Sequence, residues 1–181
     1  MRDLSAERRA PLLPTTALAR PLPFVGRWIL RAGPQPREAA GAALGLAVPV
    51  VPCRATVEGA RAALWLGPDE WLLLAPEREV AQIGSALAAA LAGMPHSLVD
   101  VSHRQEALEL TGPSAALLLA AGCPLDLEAS AFPVGMCTRT MLAKAEVVLW
   151  RTDAETFRIE VWRSFAPYVS AFLEEAARGI A

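Results

Sequence analysis

The sequence predicts an α+β fold built from two copies of a strand-helix-strand-strand-helix unit. Antiparallel or mixed sheets carry helices packed on one face, and an approximate twofold axis relates the halves. Three observations carry this. Gly33-Pro34 and Gly112-Pro113 each stand between an apolar strand and an alanine-rich helix, at an offset of 112 − 33 = 79. Leu64-Trp65 and Leu149-Trp150 each lie in the first strand of a hairpin, at an offset of 149 − 64 = 85. Both hairpins run into a helix, so the second copy is about six residues longer. The halves cover about 24–95 and 97–179 of a single duplicated domain, and two such halves are expected to share one sheet.

In order, residues 1–23 form a flexible Pro/Arg-rich arm. Arg2, Arg8, Arg9 and Arg20 alternate with Pro11, Pro14, Pro21 and Pro23, a composition that cannot bury enough apolar surface to fold alone. It is either a loose tail or an arm ordered against a partner. Phe24 to Leu30 reads as a strand, and Arg37 to Leu44 as a short helix ended by Gly45. The region of Pro49 and Pro52 reads as a loop or irregular edge strand. Ala62 to Leu66 and Trp71 to Ala75 form a hairpin around the turn residues Gly67-Pro68-Asp69-Glu70. Val80, Ile83, Leu87 and Leu91 recur at helical spacing, with Glu77 and Glu79 at the positive N-terminal end and Gly93-Met94-Pro95 closing the helix.

Ser97 to Val101 and the strand of Ala107, Leu108 and Leu110 flank a polar Ser-His-Arg link. Thr111 or Gly112 caps the next helix, Pro113 takes its first position, and Gly122 stops it. Cys123 to Gly135 is a loop. Met136 to Leu142, Ala145 to Arg151 and Thr156 to Trp162 are strands. Ser164 caps a final helix that buries Phe165, Val169, Phe172, Leu173 and Ala176 and ends at Gly179.

Composition excludes several classes. The 181 residues are 54% hydrophobic with a net charge of −2, which rules out a mainly disordered chain and offers no general attraction to nucleic acid or anionic lipid. Of the 17 basic residues only Lys144 is a lysine, so arginine clusters are discounted as a codon-level bias. Three widely spaced cysteines fit a reducing cytoplasm. With only His96 and His103 as imidazoles, no metal site is expected. No apolar run is long enough for a membrane span, and the N-terminus lacks the apolar centre of a signal peptide.

Asp100, Ser102 and His103 place an acid, a hydroxyl and an imidazole within four residues, which suits a ligand site. Side chains two or three apart in extended chain do not converge, however, and Asp and Ser bond nearby backbone, so turn chemistry is the favoured reading. Arg139 suits bidentate capture of a carboxylate, with the bracing of a loop carbonyl favoured. No Gly-x-Gly-x-x-Gly is present, and no nucleophile stands beside a base.

Six segments in order carry a family resemblance: Leu66-Gly67-Pro68-Asp69-Glu70-Trp71-Leu72, Val99-Asp100-Val101-Ser102-His103-Arg104, Leu110-Thr111-Gly112-Pro113, Gly122-Cys123-Pro124-Leu125-Asp126-Leu127, Phe132-Pro133-Val134-Gly135 with Thr138-Arg139-Thr140, and Val161-Trp162-Arg163-Ser164-Phe165-Ala166. Together they resemble the gamma subunit of heterotetrameric sarcosine oxidase over about residues 24–178. Residues 99–173 are more distantly similar to the folate-binding domain of the glycine-cleavage aminomethyltransferase. That enzyme's Arg-x-Gly-Tyr-Thr-Gly-Glu segment is replaced here by Arg139-Thr140-Met141-Leu142-Ala143-Lys144, so no catalytic residue carries over.

The resemblance implies an accessory, non-catalytic subunit packed on a large alpha subunit, with beta and delta subunits completing a complex that demethylates N-methylglycine oxidatively to glycine. It also implies FAD, FMN, NAD, tetrahydrofolate and zinc on those other subunits and none on this chain. Trp162, Arg163 and Phe165, with the proline-rich arm, are the expected contacts, since Trp and Arg favour interface centres; the strand position of Trp162 favours a core role instead. The alternative is a free-standing tetrahydrofolate or pterin binder using Asp100, Ser102, His103 and Arg139.

Overall fold

The computed structural model describes residues 17–180. Among these residues ten strands form two five-stranded sheets, and every strand pairing is antiparallel. The first sheet takes β2 (Val25–Ala32), β3 (Ala55–Glu58), β4 (Arg61–Gly67), β5 (Glu70–Pro76) and β6 (His96–Asp100), in the order β3-β4-β5-β2-β6. The second takes β1 (Leu18–Pro21), β7 (Gln105–Thr111), β8 (Cys137–Leu142), β9 (Ala145–Asp153) and β10 (Thr156–Trp162), in the order β8-β9-β10-β7-β1. Position by position the two orders are the same, which is the expected approximate twofold relation.

Two sheets rather than one shared sheet is a correction, and its cause is legible in β5. Trp71 to Ala75 is buried at every residue, whereas a strand with one wet face alternates. Trp71, Leu73 and Ala75 face outward into a core with α1 (Pro34–Leu44) and α2 (Val80–Leu91). Leu72 and Leu74 face inward, against Cys137, Val148 and Trp150 of the second sheet. The second sheet's outer face buries Leu110, Leu149, Phe157 and Ile159 under α3 (Ala115–Ala120) and α4 (Ala166–Ile180). The layers run helices, sheet, sheet, helices.

The halves exchange their lead-in strands. β6 follows the first half yet pairs with β2, Trp28 opposite Asp100 and Ala32 opposite His96. β1 precedes the first half yet pairs with β7, Leu18 opposite Thr111. Part of the arm expected over residues 1–23 is therefore a strand, Leu18–Pro21. Residues 1–16, with Arg2, Arg8, Arg9, Pro11 and Pro14, lie outside the described residues, while Leu18–Pro21 covers what would otherwise be an open edge of β7. At the centre, an isolated bridge joins Arg54 to Met136, and the Cys137 N–H donates to the Cys53 carbonyl at 3.0 Å.

Other elements differ in detail. β3 is an edge strand just past the Pro49 and Pro52 region, which read as a loop or irregular edge strand. α1 begins at Pro34, and its end is the expected Gly45, whose φ of 77° places it in the left-handed region; a glycine takes that conformation without strain. α3 starts two residues past Pro113, with Ser114 at the cap. The final helix starts at Ala166 and continues through Gly179. Val169 and Leu173 are buried as expected, whereas Phe165 is 44% exposed because it precedes the helix and escapes its buried stripe.

Candidate functional site

The link between β6 and β7 follows from local hydrogen bonding. The Ser102 N–H donates to Asp100 Oδ1 at 2.8 Å, the compact turn that Asp favours. Ser102 is buried, and its Oγ accepts the Arg27 N–H at 2.9 Å. The Val101 N–H donates to the Arg27 carbonyl at 2.9 Å. Val101 and Ser102 thus extend the β2–β6 ladder past its last pair, Trp28 opposite Asp100. His103 is exposed and stacks on Phe24, ring centroids 5.2 Å apart.

Between the sheets lies a charged layer. Arg27 and Glu160 form an ion pair, Nε to Oε2 at 2.7 Å, with both side chains almost wholly buried. Arg158 Nε donates to the other carboxylate oxygen at 2.8 Å, so two guanidiniums balance the buried charge. Such a pair contributes little net stability, but removing one member leaves the other uncompensated. Neither residue was singled out from sequence. The signal was present: Arg27 is the single charge inside Val25 to Leu30, and Arg158 and Glu160 alternate with apolar residues inside Phe157 to Val161, but the general discount applied to arginine hid it.

Toward the rim of this layer, Arg139 on β8 pairs with Glu70 at the start of β5, and Arg31 approaches the same carboxylate at 3.7 Å. The Glu70 hydrogen bond holds Arg139 above the ordinary guanidinium range against the opposing effect of burial. Arg139 therefore does hold a carboxylate, and it belongs to this chain. Beside it a pocket of about 130 Å³ is lined by Arg104, Gln105, Arg139, Glu146, Glu160 and Trp162, among others. Asp100, Ser102 and His103 do not line it. The four residues of the folate reading are thus divided among a turn, a ring stack and an ion pair.

Trp162, favoured for the core, is 44% exposed. It ends β10 opposite Gln105, on the same face of the strand as Arg158 and Glu160. The Arg104 guanidinium lies over its ring at 5.0 Å. The Arg163 N–H donates to the Arg104 carbonyl at 2.9 Å, which ties the chain after β10 to the β6–β7 link. Tyr168 on α4 is 38% exposed and its hydroxyl accepts the Lys144 N–H at 3.4 Å. Trp162, Arg163, Phe165 and Tyr168 form one solvent-facing stretch. Among the described residues no group of His, Cys, Asp and Glu is arranged to hold a metal ion, and no helix is long and apolar enough to cross a membrane.

Residues 31–179 match the model of the sarcosine oxidase gamma subunit family. Sarcosine oxidase subunit gamma of Corynebacterium sp. strain P-1 is 42% identical over 139 residues, 77% of this chain and 66% of that protein. The Arthrobacter sp. subunit is 42% identical over 123 residues, 67% of this chain and 59% of that protein. The chain spans somewhat less than two thirds of the length of these relatives. A chain of the heterotetrameric sarcosine oxidase from Corynebacterium sp. U-96, solved in complex with pyrrole 2-carboxylate, superposes with a TM-score of 0.83 at 35% identity, covering 89% of this chain and 83% of that one. Aminomethyltransferase T of the glycine cleavage system from Bartonella henselae shares the fold, with a TM-score of 0.68 at 17% identity over 91% of this chain and 50% of that one.

Proposed function

Because the chain belongs to the sarcosine oxidase gamma subunit family, we propose that it is an accessory, non-catalytic subunit of a cytoplasmic complex that oxidatively demethylates N-methylglycine. It packs on a large alpha subunit, with beta and delta subunits completing the assembly, and the flavins, NAD, tetrahydrofolate and zinc reside on those partners. The observation that carries this reading is the superposition, along nearly the whole chain, on a chain of a heterotetrameric sarcosine oxidase. The exposed Trp162 and Phe165 support a contact face there with Arg163, since an aromatic exposed on a folded surface gains free energy when a partner covers it.

The test is recovery of the tagged chain from its native cell. The expected product is a flavin-bearing complex that forms hydrogen peroxide when sarcosine is added, and a Trp162→Ala, Phe165→Ala chain should recover much less flavin. A purified chain that stays monomeric beside its co-expressed partners sinks the reading. Saturable quenching of its tryptophan fluorescence by tetrahydrofolate would favour the free-standing folate binder.

A further inference from the structure

Cys53 and Cys137 stand opposite each other where the two halves of the chain join. The isolated antiparallel bridge sets Arg54 opposite Met136, so one step along the register Cys53 falls opposite Cys137. The 3.0 Å bond from the Cys137 N–H to the Cys53 carbonyl holds the pair there. Opposite residues bonded in this way have Cα atoms about 5.5 Å apart, and a disulfide spans roughly 4.4–6.8 Å between Cα atoms. Both residues are free thiols. The thiols also sense each other: burial pushes that of Cys137 up, and the nearby Cys53 thiol acts in the same direction. They differ in access. Cys137 is wholly buried in the core between the sheets, its S–H donating to the Trp65 carbonyl at 3.6 Å, whereas Cys53 is half-buried. Cys53 also holds a φ of 57°, a left-handed conformation that costs free energy for most side chains. Glycine takes it without strain, so what cysteine adds at this position is its thiol.

From this geometry we infer that Cys53 and Cys137 are a peroxide-driven disulfide site that braces the two halves against each other. Cys53 reacts first, because it is the thiol of the pair that solvent reaches. Its sulfur bonds to one peroxide oxygen, the O–O bond breaks, and a sulfenic acid and one water result. The Cys137 sulfur then attacks the Cys53 sulfur, the S–O bond breaks, and the leaving oxygen takes the Cys137 proton away as a second water. The two thiols have lost two electrons between them, and one peroxide has gained them. Cys137 needs no path to solvent for its step, only the sulfur opposite. Its raised value leaves little thiolate, which makes this condensation the slower step. Cys123 takes no part, since it is buried on the other face of the second sheet, in the core under α3 and α4. The bridge closes the long loop from Cys53 to Cys137 and so restrains the unfolded chain. Hydrogen peroxide from the complex proposed above is one source of oxidant, but the inference stands without that assembly.

The experiment treats the purified, reduced full-length chain with about one equivalent of hydrogen peroxide, then blocks the remaining thiols in denaturant and maps the peptides by mass spectrometry. The expected product is a monomer joined between Cys53 and Cys137, lighter by two hydrogens, and returned to the starting mass by dithiothreitol. Its Tm should exceed that of the reduced chain by at least about 5 °C. Cys123→Ser should leave the bridge unchanged. In Cys53→Ser, a half-buried position where the change is mild, Cys137 should stay a free thiol after the same treatment. In Cys137→Ala, Cys53 should run on to the sulfinic acid, since no second thiol intercepts it. The inference is overturned if Cys53 of the parent chain runs on to the sulfinic acid while Cys137 stays free. It is equally overturned if the bridge forms with Cys123 or between chains, or if the bridged chain melts together with the reduced one.

Discussion

In the first half, the loop after α1 is held down by one indole: Trp71 Nε1 donates to the Pro49 carbonyl at 2.7 Å. In the second half, the longer loop after α3 is held by a guanidinium. Arg151 Nη1 donates to the carbonyls of Leu127 and Phe132 at 3.2 and 3.0 Å, and Nε to that of Ala154 at 3.1 Å. Its Cζ lies 5.0 Å from the centroid of the Phe157 ring, and it is 7% exposed, with no carboxylate paired to it among the described residues. Trp71 and Phe157 lie in corresponding strands of the two sheets, so one topological task is met by different chemistry. A short loop offers one inward carbonyl, which a neutral donor satisfies. A long one turns several inward, and only a planar group with five donors reaches them together. The duplicated backbone thus constrains where a loop must be pinned, while loop length decides what pins it.

The largest expected effect tests the joint between the halves. Glu160→Leu leaves Arg27 and Arg158 facing each other in the buried layer and should cost about 3–5 kcal/mol in denaturant unfolding, whereas Arg27→Met with Glu160→Leu should regain most of it. A small single-variant effect would mean that water already reaches the pair. Next, Arg151→Met should cost about 2–4 kcal/mol and Trp71→Phe about 1 kcal/mol; equal losses would undo the contrast between the two pins. Ser102→Ala should cost about 1 kcal/mol by orphaning the Arg27 N–H, and His103→Ala less than about 0.5 kcal/mol as an exposed change, both measured by thermal unfolding.

The smallest effect concerns Cys137, whose thiol is pushed up to about 12 chiefly by burial. A raised folded-state value means that the neutral thiol is favoured by folding. Its contribution is whole below the ordinary thiol range, near 9.0, and fades as the pH rises from there toward 12. A Cys137→Ala chain should accordingly lose less stability between pH 9 and pH 11 than the parent. In the native parent at pH 8, half-buried Cys53 should react first with a thiol reagent and Cys137 only on unfolding.

Much of the fold was legible because its signals are local. The hairpin turn at Gly67 to Glu70, the helical spacing of Val80, Ile83, Leu87 and Leu91, and the paired Gly-Pro steps each depend on residues within one turn or one strand. β1 escaped because it is only four residues long and takes its order from a distant neighbour; β3, equally short, pairs with the adjacent β4 across a tight turn and follows the stretch that read as a loop or irregular edge strand. Pro21 and the Pro49–Pro52 stretch mimic loops in isolation. At the candidate site, Asp100 and Ser102 were read correctly as turn formers from their residue types. Trp162 was misplaced because a place at the end of a strand does not reveal whether anything covers that end.

By itself the chain of residues determined the duplication, the helix faces and the family, since these rest on side-chain type and spacing along one segment. Only the folded molecule decided that β1 and β6 change places, that Arg27 meets Glu160, and that Arg104, Gln105 and Trp162 surround one pocket. Those contacts join residues far apart in the chain, and their pairing follows from which edges and charges would otherwise be left unsatisfied.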